Sequence, residues 1–325
     1  MPILTSDFAS LTDDLQSIFN EVAKRKVSEN VGFSIFNVFD TDRRTYDHLV
    51  LHGISGIKKV AEGQDLPKVT GEQGDNITWT QEYFGAEVEV TKAMRKFDLY
   101  NQIEGIVKSI SDDAFDKVDQ SLADRLINGW STSYVDVYGA TVSALGPDGL
   151  ELFSASHSNP VTSTTFSNIV SDGTNTNPAL SRQAIVYMRA QGLKHKDPNN
   201  LVRPISYDTL IISPELEDLA NRICNSEYLP GSANNDRNPL KGKMKVIVWP
   251  RLALSSAGTD ADAYWFIADS NGLKETLNCL FAERPSLDAP EQAYENKNWG
   301  YTIDFFYAIG VGYPAYIAGS KGDNT

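Results

Sequence analysis

Cysteine is almost missing from these 325 residues: Cys224 and Cys279 stand alone and far apart. Without a C-x-x-C pair there is no zinc knuckle or redox dithiol to build, and two scattered thiols do not staple a disulfide scaffold. Both are expected as small buried hydrophobes. Cations are also short. Lys and Arg number 29 against 43 Asp and Glu, a formal net charge of −14. General binding to nucleic-acid phosphates needs clustered cations, so the charge argues against it. An acidic surface suits simple solubility, and equally a protein that stands beside DNA or anionic lipid without adhering. No apolar run reaches the roughly 18 residues of a membrane-spanning helix. Residues 1–15 hold acids and no apolar core, so no signal peptide is expected there. A soluble chain made in a cytoplasm is the expectation.

The motifs of common catalysts are lacking too. There is no G-x-S-x-G elbow, phosphate loop, H-E-x-x-H helix or EF-hand. His48 and His52 lie four apart, which suits a metal on a helix. Their surroundings read as strand, where that spacing separates the rings by about 13 Å. His157 sits among Ser154, Ser156 and Ser158 and reads as a turn histidine bonded to nearby hydroxyls. No catalytic residue, metal site or cofactor is expected. Trp79, Trp249, Trp265 and Trp299 read as core or interface anchors.

What is present is organised around Asp98–Gly129. Leu99, Ile103, Ile106, Val107, Ile110, Ala114, Val118, Leu122 and Leu126 recur in steps of three and four, one face of a long amphipathic helix. Glu104, Asp112, Asp113, Asp116, Asp119 and Asp124 fill the other face, where solvation is the simplest expectation. Asp98 suits the N-cap, Arg125 the last turn and Gly129 a left-handed C′ position. At about 1.5 Å per residue this is a rod of roughly 45 Å.

Before it, residues 7–27 predict a helix through Phe8, Leu11, Leu15, Ile18, Phe19 and Val22. It must dock on its own domain or on a neighbouring subunit, since a short helix is not stable alone. Residues 31–60 read as extended. A Gly-rich stretch, 53–85, leads to a strand in which Ala86, Val88 and Val90 alternate with acids. Two extended limbs and a Gly-rich tip predict a protruding hairpin, whose bare edges invite another chain. Residues 154–178 read as loop or an exposed hairpin. A compact α/β stretch follows: a helix over Ser181–Gln191 stopped by Gly192, a strand at Thr209–Ile212, and a helix begun by Ser213-Pro214 with Leu216, Leu219, Ala220 and Ile223 inward. Strands at Val246–Trp249 and Tyr264–Ile267 come next. The last strand is the clearest, with Trp299, Tyr301, Ile303, Phe305, Tyr307 and Ile309 on one face. The long helix is its expected partner surface.

This order of parts resembles the major capsid protein of tailed bacteriophages, the Hong Kong 97-type shell fold. Local words are similar to the Mu-like major head subunit group: Leu152-Phe153-Ser154-Ala155-Ser156-His157-Ser158-Asn159, Leu210-Ile211-Ile212-Ser213-Pro214-Glu215-Leu216, Asn238-Pro239-Leu240-Lys241-Gly242, Trp249-Pro250-Arg251-Leu252, and Tyr264-Trp265-Phe266-Ile267-Ala268-Asp269. The resemblance implies an α+β fold and a non-enzymatic structural subunit. Residues 1–46 would be an N-terminal arm with its helix, 47–95 an extended β-hairpin loop, 96–178 a peripheral domain with the spine helix 98–129, 179–284 an axial domain, and 285–325 return strands of the peripheral domain. The implied function is self-assembly, as hexamers and pentamers, into an icosahedral shell around double-stranded DNA. Implied partners are other copies of the chain, a separate scaffolding protein, a portal, a decoration protein and packaged DNA held loosely, with no membrane. The chain would be a virion component assembled in the host bacterial cytoplasm. Lys58, Lys59, Lys68, Trp79, Phe8 and Leu11 are the expected intersubunit contacts. Some relatives cross-link a loop lysine to an asparagine, and nothing in this sequence shows that step. An encapsulin-like compartment is the alternative shell, and a hydrolase built on scattered carboxylates the alternative of another class.

Overall fold

The computed structural model describes residues 6–51, 57, 59–66, 68, 73–91, 93, 100–158, 165–196, 201–228, 236–288, 291–292 and 298–323. The elements are α1 (Ser6–Glu29), α2 (Gly32–Ile35), β1 (Asn37–Asp40), β2 (Thr45–Leu51), β3 (Gln73–Thr80), β4 (Glu82–Val90), α3 (Tyr100–Ile127), β5 (Ser133–Val135), β6 (Thr141–Ser143), β7 (His157–Ser158), β8 (Thr165–Phe166), α4 (Arg182–Leu193), β9 (Thr209–Ile212), α5 (Glu217–Cys224), β10 (Lys245–Val248), β11 (Trp265–Ala268), α6 (Leu273–Thr276), β12 (Leu277–Leu287), β13 (Glu291–Gln292), β14 (Trp299–Val311) and β15 (Ile317–Ser320). They form two compact units. One comprises Met1–Tyr46, Trp79–Leu122 and Cys279–Gly310; the other comprises Asp47–Thr78, Ala123–Asn278 and Val311–Thr325.

In the first unit α1 packs on α3. Leu15, Phe19 and Val22 are buried, and the Phe19 ring lies 6.3 Å from that of Phe115. Around this apolar seam Lys26 Nζ reaches Asp116 at 2.8 Å and Arg25 reaches Asp112 at 2.6 Å. The Asn30 amide donates to the Phe115 carbonyl at 3.0 Å. The Gly32 N–H donates to the Asp119 carboxylate at 2.8 Å. That carboxylate satisfies a first-turn donor, so residues 32–35 turn as α2 where an extended run is expected from sequence.

The second limb of the hairpin is β3, which pairs with β2. The alternating strand β4, expected as that limb, instead pairs antiparallel with β14, from Val90 opposite Trp299 to Glu82 opposite Tyr307. The reason is aromatic. Phe84 lies 5.7 Å from Phe305 and 4.9 Å from Tyr307 across the ladder. On β14 Tyr301, Ile303, Phe305 and Tyr307 are buried, as the period of two requires. The Tyr307 hydroxyl and the Ser121 hydroxyl of α3 lie 3.0 Å apart, so the long helix does cover this strand. The sequence reading contains no strand at β12. It lies between β1 and β14 in the sheet.

The second unit holds a sheet of order β10-β9-β11-β15. β9 and β10 are parallel, and β11 runs antiparallel to both β9 and β15. Every residue of β9, β11 and β15 is buried. Trp249 and Trp265 are core residues, and the Trp265 indole donates to the Pro178 carbonyl at 2.9 Å. Ser181 caps α4 by accepting from the Ala184 N–H. Ser213 makes no such cap. Its hydroxyl donates to the Asp262 carbonyl, and a 3-10 turn, Pro214–Leu216, precedes α5. Leu219, expected inward, is exposed, while Ala220 and Ile223 are buried. The C-terminal segment, expected to stay with the long helix, divides: residues from Val311 onward belong to the sheet-bearing unit through β15.

Two glycines serve close approach, not the left-handed geometry expected at helix ends. Neither Gly129 nor Gly192 has a positive φ. A Cβ on Gly129 would lie 2.5 Å from the Phe153 ring, and one on Gly192 would lie 2.7 Å from the Ile205 carbonyl oxygen. Gly192→Ala is expected to lower stability by about 1–3 kcal/mol, because backbone cannot swing aside as a side chain can. Gly105→Ala, whose Cβ would meet nothing within 4 Å, is expected to raise it by about 0.5–1 kcal/mol through helix propensity. Denaturant unfolding of the two variants gives the comparison, and equal effects would contradict the packing account.

Candidate assembly surfaces

The segment between β2 and β3 carries apolar side chains that no described residue covers. Ile57 is 102% exposed and Leu66 is 80% exposed. Lys59 and Lys68 are exposed beside them. Bare Ile and Leu on a tip gain nothing from folding a single chain and mark a contact surface. Lys58 lies outside the described residues. Phe8 and Leu11 lie on α1, with side chains outside the described set. Trp79 is 5% exposed and packs inside its own unit, stacked on Tyr46 at 5.8 Å. A Cβ on Gly310 would lie 2.2 Å from the Trp79 ring, so that glycine makes room for it.

On β2, His48 is half-buried. Burial holds its imidazole below histidine's ordinary 6.5, although the Glu275 carboxylate pulls the other way.

The acids of α3 do not form a uniformly solvated face. Asp119 and Asp124 are buried. Asp119 caps α2, as described, and Asp124 accepts from the Ser256 N–H at 2.9 Å. Asp112 and Asp116 are engaged by Arg25 and Lys26. Arg125 is buried as well, donating to the Ser143 and Leu145 carbonyls at 3.4 and 3.3 Å. Beside it the Tyr134 phenol is pushed up to about 12 by burial, against the pull of the guanidinium. These positions share the helical spacing of solvated ones, so periodicity alone does not reveal which acids cap backbone.

His157 also differs from its expected role. Its partners are the Asp148 carboxylate at 2.7 Å, the Leu152 carbonyl at 3.2 Å and the Asn168 amide oxygen at 3.1 Å, and no hydroxyl. Nearby, a cavity of about 640 Å³ is lined by Phe166, Asn168, Tyr187, Met188, His195 and Tyr207 among others.

Burial raises the Cys224 thiol to about 11 and raises Cys279 further, which makes poor nucleophiles. Among the described residues no group of three His, Cys, Asp or Glu is placed to hold a metal ion. No helix among them is long and apolar enough to cross a membrane.

Comparison with known proteins gives the class. Residues 77–319 match the phage capsid protein family, and the chain belongs to that family. Its architecture is that of the Hong Kong 97-type capsid shells. The mature capsid of bacteriophage PhiM1 aligns with a TM-score of 0.54 at 13% identity, covering 90% of this chain and 87% of that one. The capsid of Myoviridae phage XM1 aligns at 0.52 and 10% identity, over 88% and 89%. The capsid of an empty GTA particle aligns at 0.51 and 13% identity, over 88% and 87%. No curated protein matches.

Two predictions follow from the charged groups. Asp119→Ala leaves a buried N–H without an acceptor, and a loss of about 1–3 kcal/mol is expected on unfolding. Asp113→Ala, at an exposed site paired with Lys117, is expected to stay within about 0.5 kcal/mol. For His48 the folded state favours the neutral ring, so the unfolded chain binds protons first as pH falls. Its contribution is therefore present above 6.5 and lost as pH drops below it. Faster amide exchange in β2 and β3 at about pH 5.5 than at about pH 8, after correction for intrinsic rates, is expected and should vanish in His48→Gln.

Proposed function

We propose that this chain is the major head subunit of a tailed bacteriophage, assembling as hexamers and pentamers into the icosahedral shell that encloses double-stranded DNA. The observation that carries this reading is the hairpin with its bare Ile57 and Leu66, in a chain of the phage capsid family. A surface that a monomer leaves uncovered is buried when copies repeat around closed symmetry. The exposed Lys59 and Lys68 belong to the same contact, with Lys58, Phe8 and Leu11 as further contact residues. Trp79 contributes by fixing the hairpin's base against Tyr46.

The unit with α3 and β14 is the peripheral body, and the four-stranded unit is the axial body around the symmetry axes. A separate scaffolding protein, a portal and a decoration protein complete the assembly, which takes place in the host bacterial cytoplasm. The net charge of −14 lets packaged DNA lie beside the shell without adhering to it.

Negative-stain imaging of the purified chain tests the reading. Regular rings or shells are expected, and a stable monomer under all assembly conditions would overturn it. Particles enclosing a specific protein and no nucleic acid would favour an encapsulin-like compartment. Deleting residues 53–72, between β2 and β3, should leave circular dichroism unchanged while abolishing shells. Global unfolding would show that the stretch belongs to the core.

A further inference from the structure

The His157 ring is 1% exposed, within the sheet-bearing unit. Its Nδ1 faces the Asp148 carboxylate, and its Nε2 faces the Leu152 carbonyl and the Asn168 side-chain oxygen. The Asp148 carboxyl also accepts from the Leu150 N–H at 3.2 Å, a hydrogen bond that favours its ionised form. The orientation of the Asn168 amide is set by its other bonds. Its Nδ2 donates to the Leu152 and Pro314 carbonyls at 2.6 and 3.2 Å, and its oxygen accepts from the Ser154 N–H at 2.9 Å. Reversing the amide would set donor against donor and acceptor against acceptor. All three partners of the ring are therefore acceptors. A neutral imidazole has one N–H, and only the imidazolium has two.

We propose that His157 is a buried imidazolium that latches three segments to one another, the Gly146–Leu152 turn, β7 and the Asn168 strand-end, and that removing its charge partner frees residues 145–158 while the four-stranded sheet stays folded. Asp148 is the charged group that touches the ring among the described residues. Phe166 covers one face at 5.3 Å between centroids, and His195 stands behind Phe166 at 5.2 Å. Phe166 and Asn168 form one wall of the 640 Å³ cavity, with Tyr187 and Met188 of α4 on another. The latch thus sets the position of that wall. The ring's polar contacts are to the Gly146–Leu152 turn and Asn168; the Asn168 carbonyl accepts from the Gly319 N–H of β15 at 3.1 Å, but β9, β11 and β15 are held by their own ladder, so the latch acts locally.

The test uses the full chain labelled with 15N-histidine, in solution or as sedimented particles. At about pH 7.5, where an ordinary histidine is mostly neutral, both ring nitrogens of His157 should carry protons, the signal being assigned by its loss in His157→Gln. A ring with one bare nitrogen overturns the proposal. Hydrogen exchange of Asp148→Asn is the second arm. Amides of residues 145–158 should exchange at least about tenfold faster, with those of 209–212 and 265–268 unchanged. Unchanged exchange at 145–158, equal acceleration in the sheet, or a variant that does not fold each contradicts a local latch.

Discussion

A thirteen-residue strand cannot leave its backbone bare, and the helix-bearing unit is arranged to satisfy β14. β4 runs beside it for nine residues, and β12 and β13 also pair with it. The aromatic face that alternation creates needs an apolar lid as long as itself. α3 supplies it, with the Ser121 and Tyr307 hydroxyls meeting across the seam. α3 is in turn too apolar on its remaining flank to face water, and α1 covers that flank through Leu15, Phe19 and Val22. Each layer is present because the one beneath would otherwise expose unpaired backbone or apolar surface.

Charge is used here for backbone satisfaction more than for surface. Asp119 and Asp124 direct their carboxylates at N–H groups, and Arg125 its guanidinium at carbonyls. Buried polar groups are tolerable only when paired, and removing one partner strands the other. Exposed pairs such as Lys117–Asp113 contribute far less. A count of acids on the helix surface is therefore a poor guide to its electrostatics. The chain belongs to the phage capsid protein family, and its interior polar groups are engaged in holding backbone.

Much was legible from sequence. Helices α1, α3, α4 and α5, strand β9 and the β14 alternation follow from local spacing and capping and agree with the fold, and the resemblance to Hong Kong 97-type shells, carried by the order of parts and local words, agrees as well. The misreadings have one cause. Whether Gly129 and Gly192 are turns or gaps for a neighbour, whether Ser213 caps a helix or a loop, and whether β4 joins the hairpin or the sheet depend on chains that arrive from far along the sequence. β12 was invisible for the same reason, its partners being β1 and β14.

The amino-acid order by itself determined the long helices α1 and α3, the alternation of β14 and which of their faces are apolar, because those follow from local spacing at 3.6 or 2 residues. Only the tertiary structure decided which polar side chains are interior. Asp112 and Asp119 share one helix and one chemistry, yet one meets an arginine at the surface and the other caps buried backbone. Solvation depends on what packs opposite, and that neighbour is set by closure of the whole fold, not by the residues alongside.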